Sequence, residues 1–117
     1  MIYDRNELLN SLLYHAANPG VACGNATLTL SASSQGLLQT TIPIGTKYAL
    51  LQLVQVGETG GIDLMRYWQD GSAPTTTVGL SRGDKEAWDI YGRENIDRFR
   101  GISVDGGLHK VFIQYFK

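Results

Sequence analysis

The sequence predicts an all-β fold: an antiparallel β-sandwich or jelly roll of about eight strands, preceded by one N-terminal α-helix. Three observations predict it. Hydrophobic alternation of period two recurs along most of the chain after residue 20. The 14 glycines among 117 residues, against only 3 prolines, are close to twice the usual share and mark many turns. No stripe of helical spacing separates the alternating segments, so the strands connect without helices between them. The expected organisation is a single compact domain, with a helix or arm over 1–20 and the sandwich over 21–117.

The helix is expected over residues 4 to 17. Asp4 caps its free amides, and Glu7, three residues on, completes a capping-box-like pair. Leu8, Leu9, Leu12 and Leu13, continued by Ala16, form one apolar stripe, and Asn18-Pro19-Gly20 ends the element. Such a stripe needs a cover. Its own sheet or a neighbouring chain would serve equally.

Each strand then has its own signal. Ala26, Leu28, Leu30 and Ala32 alternate with Thr27, Thr29 and Ser31, the pattern of a half-buried strand. Ser33-Ser34-Gln35-Gly36 turns the chain into a strand carrying Leu38, Thr40, Ile42 and Ile44, with Pro43 at its edge or end. Residues 48 to 56 are apolar on both faces, which predicts a central strand. A glycine-rich loop over 57–61 leads to a strand from Ile62 to Trp68. Shorter strands are expected at 76 to 80 and 86 to 91. The last two run from Ile96 to Ser103 and from His109 to Phe116. Val104-Asp105-Gly106-Gly107 joins them as a hairpin, because Asp-Gly-Gly suits the positive φ of a tight turn.

Composition narrows the function classes. A net charge of −1, with Lys85, Arg93, Arg98 and Arg100 interrupted by Glu86, Asp89, Glu94 and Asp97, gives no basic patch for nucleic acid. No segment approaches the ~20 apolar residues of a membrane helix. The opening Tyr3-Asp4-Arg5 lacks a signal-peptide core, so synthesis in a cytoplasm is the expectation. The lone Cys23 allows neither an internal disulfide nor a cysteine metal cage and reads as a small, partly buried side chain.

No residue set calls for a catalytic, cofactor or metal role. Asp63 and Asp70 flank one strand and Asp84, Glu86 and Asp89 cluster about another, yet most sit beside turns, where acids are usually solvated. His15 and His109 lack the spacing of metal ligands. No G-x-S-x-G elbow is present, and the 57–61 loop lacks the Lys-Ser/Thr of a phosphate cradle. Arg66, Arg98 and Arg100 are expected on strand faces, either solvated or paired with a neighbouring subunit's carboxylates. Tyr67, Trp68 and Trp88 form a candidate aromatic binding surface, as in a carbohydrate-binding module; core or subunit contact is the more ordinary use of such side chains.

One stretch carries a resemblance. Arg66-Tyr67-Trp68-Gln69-Asp70-Gly71-Ser72-Ala73-Pro74-Thr75, then Val78-Gly79-Leu80, Gly83 and Trp88, resembles a pattern in small all-β virion structural proteins of tailed bacteriophages. Arg98-Phe99-Arg100-Gly101-Ile102 and Lys110-Val111-Phe112-Ile113-Gln114-Tyr115 continue it, and Ala49-Leu50-Leu51-Gln52-Leu53 fits its preceding strand. The N-terminal helix, and the Gly57 to Gly61 loop with Glu58, are departures from that pattern. The resemblance implies a non-enzymatic capsid decoration or cement protein, made in the bacterial host cytoplasm and resident on the head. It further implies a homo-oligomer, a trimer in such proteins, contacting the major capsid protein or other virion proteins. A tail, baseplate or fibre component is a second location compatible with the same motif. Leu8, Leu9, Leu12 and Leu13 are the expected oligomer or capsid contact. No catalytic residue is carried over from the family.

Overall fold

The computed structural model describes residues 20–57 and 61–117. The helix expected over 4 to 17, with its leucine stripe and His15, lies outside the described residues, as does Glu58. The described elements are β1 (Ala22–Thr29), β2 (Gln35–Gly36), a 3-10 turn (Leu37–Gln39), β3 (Tyr48–Val54), β4 (Met65–Trp68) and β5 (Leu80–Arg82), followed by β6 (Ala87–Tyr91), α1 (Arg93–Arg98), β7 (Arg100–Ser103) and β8 (Lys110–Phe116).

The strands form two antiparallel sheets of four, ordered β1-β8-β3-β6 and β2-β7-β4-β5. In the first, β8 and β3 are central, which agrees with the two-sided apolar character of residues 48 to 56. Alternation sets the inner face: Ala49 opposes Tyr115, Leu51 opposes Ile113 and Leu53 opposes Val111, and all six are buried. Because side chains alternate with period two, the intervening Leu50, Gln52, Phe112 and Gln114 face the other way. One hydrophobic cluster takes Leu28, Leu51, Ile90 and Tyr115 from the first sheet and Met65 and Tyr67 from the second, with Ile96 from α1. At roughly 25 cal/mol per Å² of apolar surface, this shared burial is the main favourable contribution to folding.

Four expectations need correction. Residues 38 to 44 do not form a strand. After the two residues of β2 the chain closes a 3-10 turn, in which the Thr40 N–H and hydroxyl both donate to Leu37 O, at 2.9 and 2.6 Å. Ile44, counted on the apolar alternation, is 96% exposed.

The strand expected from Ile96 begins instead as α1, with β7 starting only at Arg100. Gly92 enters at φ 87, Asn95 Nδ2 donates to Tyr91 O, and Arg93 Nε donates to Asp97 Oδ1 at 2.8 Å across one turn. Residues 76 to 80 are mostly turn: Thr75 and Val78 exchange backbone hydrogen bonds, and β5 starts at Leu80.

The Asp105-Gly106-Gly107 segment does turn, with Gly106 at φ 76, but it joins no hairpin. β7 belongs to one sheet, between β2 and β4, while β8 belongs to the other, between β1 and β3. Both strands have their two neighbours supplied from distant sequence, so long-range pairing overrides the local signal. Among the described strands only β4 and β5 are both consecutive and paired.

Candidate functional site

The three aromatics singled out from the sequence do not share a surface. Tyr67 and Trp88 are each 2% exposed and belong to the hydrophobic cluster, whereas Trp68, next along β4, is half-buried on the opposite side of its strand. Tyr67 stacks on Trp88 at 5.4 Å between ring centroids and on Phe99 at 5.5 Å. Trp88 lies on β6 and Tyr67 on β4, so this stack ties one sheet to the other. The Arg82 guanidinium sits 5.0 Å from the Trp88 ring centroid and 5.8 Å from that of Tyr67, and Nη2 donates to the Tyr67 hydroxyl at 3.2 Å. A planar cation over an aromatic face is favourable by both charge–quadrupole attraction and stacking. The cluster joins the two sheets through the buried core.

The strongest polar constellation is one that sequence reading passed over. His109 is buried (2% exposed) and uses both ring nitrogens: Nδ1 accepts the Val56 N–H at 3.1 Å, and Nε2 lies 2.8 Å from Asp105 Oδ1. An N–H donor facing Nδ1 fixes the neutral tautomer with its proton on Nε2, which then donates to the carboxylate. The same Oδ1 accepts from Gly107 N–H at 2.8 Å and from the Ser103 hydroxyl at 3.1 Å. The Gly107 backbone bond, then those from His109 and Ser103, hold the Asp105 carboxyl below the ordinary carboxylate range. Chemically this is a lock. Ser103 donates to the acid and not to the imidazole, so its hydroxyl helps fix the carboxylate in place. The short i, i+4 spacing of Asp105 and His109 was the available signal, masked by the hairpin reading of the same residues.

Several other acids serve turns and edges. Asp63 accepts from Arg66 Nη2 at 2.9 Å and from Ser81 Oγ at 2.8 Å, while Arg66 Nη1 reaches Gly79 O at 3.1 Å. Asp84 accepts the Gln55 N–H, Asp89 the Tyr91 hydroxyl, and Asp97 the Arg93 guanidinium. Asp70 accepts the Ser72 N–H at 3.0 Å, and that bond is the main reason its carboxyl ionises below the usual range. Among the described residues no group of three or more His, Cys, Asp or Glu is arranged to hold a metal. Of the three arginines expected on strand faces, Arg66 lies on β4 and Arg100 on β7, where it donates to Ser34 Oγ, whereas Arg98 ends α1. Cys23 is half-buried, with Sγ 3.7 Å from Thr46 Oγ1.

One open groove of about 310 Å³ lies on the outer face of the first sheet, lined by Asn25, Leu50, Gln52, Phe112, Ile113 and Gln114. Its most prominent apolar side chain is Phe112, 47% exposed. The Gln114 amide donates to Gly24 O and the Gln52 amide to Lys85 O, so both amides already serve the sheet. The groove has no ionisable group among those lining residues. It offers contact area and no acid–base chemistry.

Comparison with known proteins finds no matching family model, curated protein or solved structure.

Proposed function

We propose that this chain is a non-enzymatic structural protein of a tailed bacteriophage particle, a capsid decoration or cement protein that self-associates and binds the head lattice. In this reading the two four-stranded sheets pack face to face as a β-sandwich, a jelly roll in its connectivity. The observation that carries it is how the resembling segment behaves physically. Arg66, Tyr67, Pro74 and Gly79 converge: a Cβ at Gly79, whose φ is 138, would meet Arg66 Cβ, Tyr67 N and Pro74 Cβ at 3.1 to 3.3 Å. Gly71 takes φ 87, and its N–H donates to Arg98 O at 3.1 Å, linking the two halves of the motif. The motif is architecture, and architecture is what a lattice-bound subunit supplies.

Energetically, a repeated weak contact suffices. Modest binding by each protomer becomes tight when several engage one lattice at high effective concentration. The stripe of Leu8, Leu9, Leu12 and Leu13 is the contact in this reading. A carbohydrate-binding module is disfavoured by the burial of Tyr67 and Trp88, which leaves Trp68 alone of the three near solvent.

The test is the copy number of this chain in purified particles of its source phage. On the order of hundreds per particle supports head decoration, since a lattice offers that many repeats. A few dozen or fewer moves the protein to the tail or baseplate, and absence from particles overturns the reading. The Leu9→Asp, Leu12→Asp double variant should keep its β-sheet circular dichroism and lose particle binding.

A further inference from the structure

β1 occupies one edge of the β1-β8-β3-β6 sheet, and its backbone register is fixed. Val21 and Lys117 exchange backbone hydrogen bonds, and Leu30 N–H donates to His109 O. With the register between them, this places Gly24, Ala26 and Leu28 in the bonded pairs with Tyr115, Ile113 and Val111. Asn25, Thr27 and Thr29 therefore aim their N–H and C=O groups away from β8. Among the described residues no strand pairs with that edge, and Asn25 and Thr27 are exposed.

Edge strands of stable monomers usually carry a charge, a proline or a short length that blocks further pairing. The other edges fit that rule: β2 has two residues, β5 has three with Arg82, and β6 has Asp89 at its middle. β1 has eight residues and no charge or proline. Its bulge lies at Ala22/Gly24, where Pro43 packs against the glycine, and leaves the stretch from Asn25 to Thr29 regular.

We propose that β1 pairs with β1 of a second copy of this chain, antiparallel about a two-fold axis at Thr27. The sequence of the edge is self-complementary in that register. Thr27 meets Thr27 of the second copy, and Asn25 meets Thr29 in both directions, giving roughly six main-chain hydrogen bonds. On the inner face Ala26, half-buried against the core, comes opposite Leu28, so the apolar layer continues across the axis. On the outer face the β1 side chains that meet are amides and hydroxyls; the Lys110 ammonium stands behind Thr29, donating to its hydroxyl at 2.8 Å, and no like charges are directly opposed. The two sheets become one of eight strands. This two-fold contact takes the place of the threefold assembly that the phage resemblance implies, and it holds whether or not the chain is a virion component.

Light scattering on the full-length protein tests it, at concentrations up to about 0.5 mM, because an edge contact of this size sits at the weak end of specific interfaces. The expected mass is that of a dimer, and Thr27→Lys and Thr27→Glu alone should each be monomeric. Their equimolar mixture should regain the dimer mass, since opposite charges then face each other at the axis. Thr27 is exposed, so neither change disturbs the core, and an unchanged thermal unfolding midpoint at dilutions where wild type is monomeric confirms that. A wild-type monomer or trimer at the highest concentration overturns the proposal, as does a dimer that persists in both folded variants. A mixture that stays monomeric also overturns it.

Discussion

The two sheets solve the same problem by different means. In β1-β8-β3-β6 the strands run five to eight residues, and the continuous ladders bring inner-face aliphatics into register. In β2-β7-β4-β5 they run two to four residues, too short for ladders alone to hold them. Side chains make up the difference there. Asp63 ties Arg66 to Ser81 across β4 and β5, and Arg100 reaches Ser34 near β2. A long sheet is specified by periodicity, a short one by individual polar contacts. The first tolerates surface change, whereas the second depends on a handful of named groups.

The strongest challenge to this contrast is at the joint between the sheets. Trp88→Ala removes the ring that stacks on Tyr67 and lies under Arg82, and should cost about 3 to 5 kcal/mol in denaturant unfolding. A cost under about 1 kcal/mol would mean the sheets are stabilised independently. Next comes His109→Ala, which strands the Val56 N–H and removes one donor from Asp105, with an expected loss of about 2 kcal/mol.

Asp63→Asn is a smaller, more selective probe. The Arg66–Asp63 pair is partly exposed, so global stability should fall by no more than about 1 kcal/mol. Amide exchange should nevertheless accelerate at β5 and leave β8 unchanged; equal acceleration in both would erase the distinction drawn here.

The smallest effect is a pH dependence. Asp105 ionises more readily folded than unfolded, so its contribution is present above the unfolded value of about 3.9 and is lost as pH falls through the folded one. Asp105→Asn should therefore flatten the acid limb of a stability–pH profile below about pH 4, leaving the neutral region parallel to wild type.

The same contrast explains what could be read from sequence. Strands β3 and β8 were legible, because Leu51, Leu53, Val111 and Ile113 lie in ladders long enough to show period two. Segment 38–44 displays the same alternation, yet Thr40 closes a turn with its own hydroxyl, a competition that pattern alone does not reveal. The helix over Arg93–Arg98 was missed because six residues are too few to display a stripe, although the Arg93–Asp97 spacing marks it. Asp105-Gly106-Gly107 announced a turn correctly and its partners wrongly. Turn chemistry is local, whereas the neighbours of β7 and β8 come from far along the chain. The burial of Tyr67 and Trp88 was undecidable for a similar reason: aromatic residues on short strands suit a core and a platform equally until the opposing layer is known.

The central place of β8 has a consequence for synthesis. Strands β1 and β3 do not touch as ladder partners; β3 can pair with β6 earlier, but the link between β1 and β3 needs β8, which begins some ninety residues after β1. Until β8 emerges, β1 lacks its ladder partner and β3 has only β6 beside it, so apolar side chains of the inner face stay uncovered. Completion of the first sheet is consequently a long-range closure, and a pause in translation just before Lys110 should prolong the exposure of its apolar face.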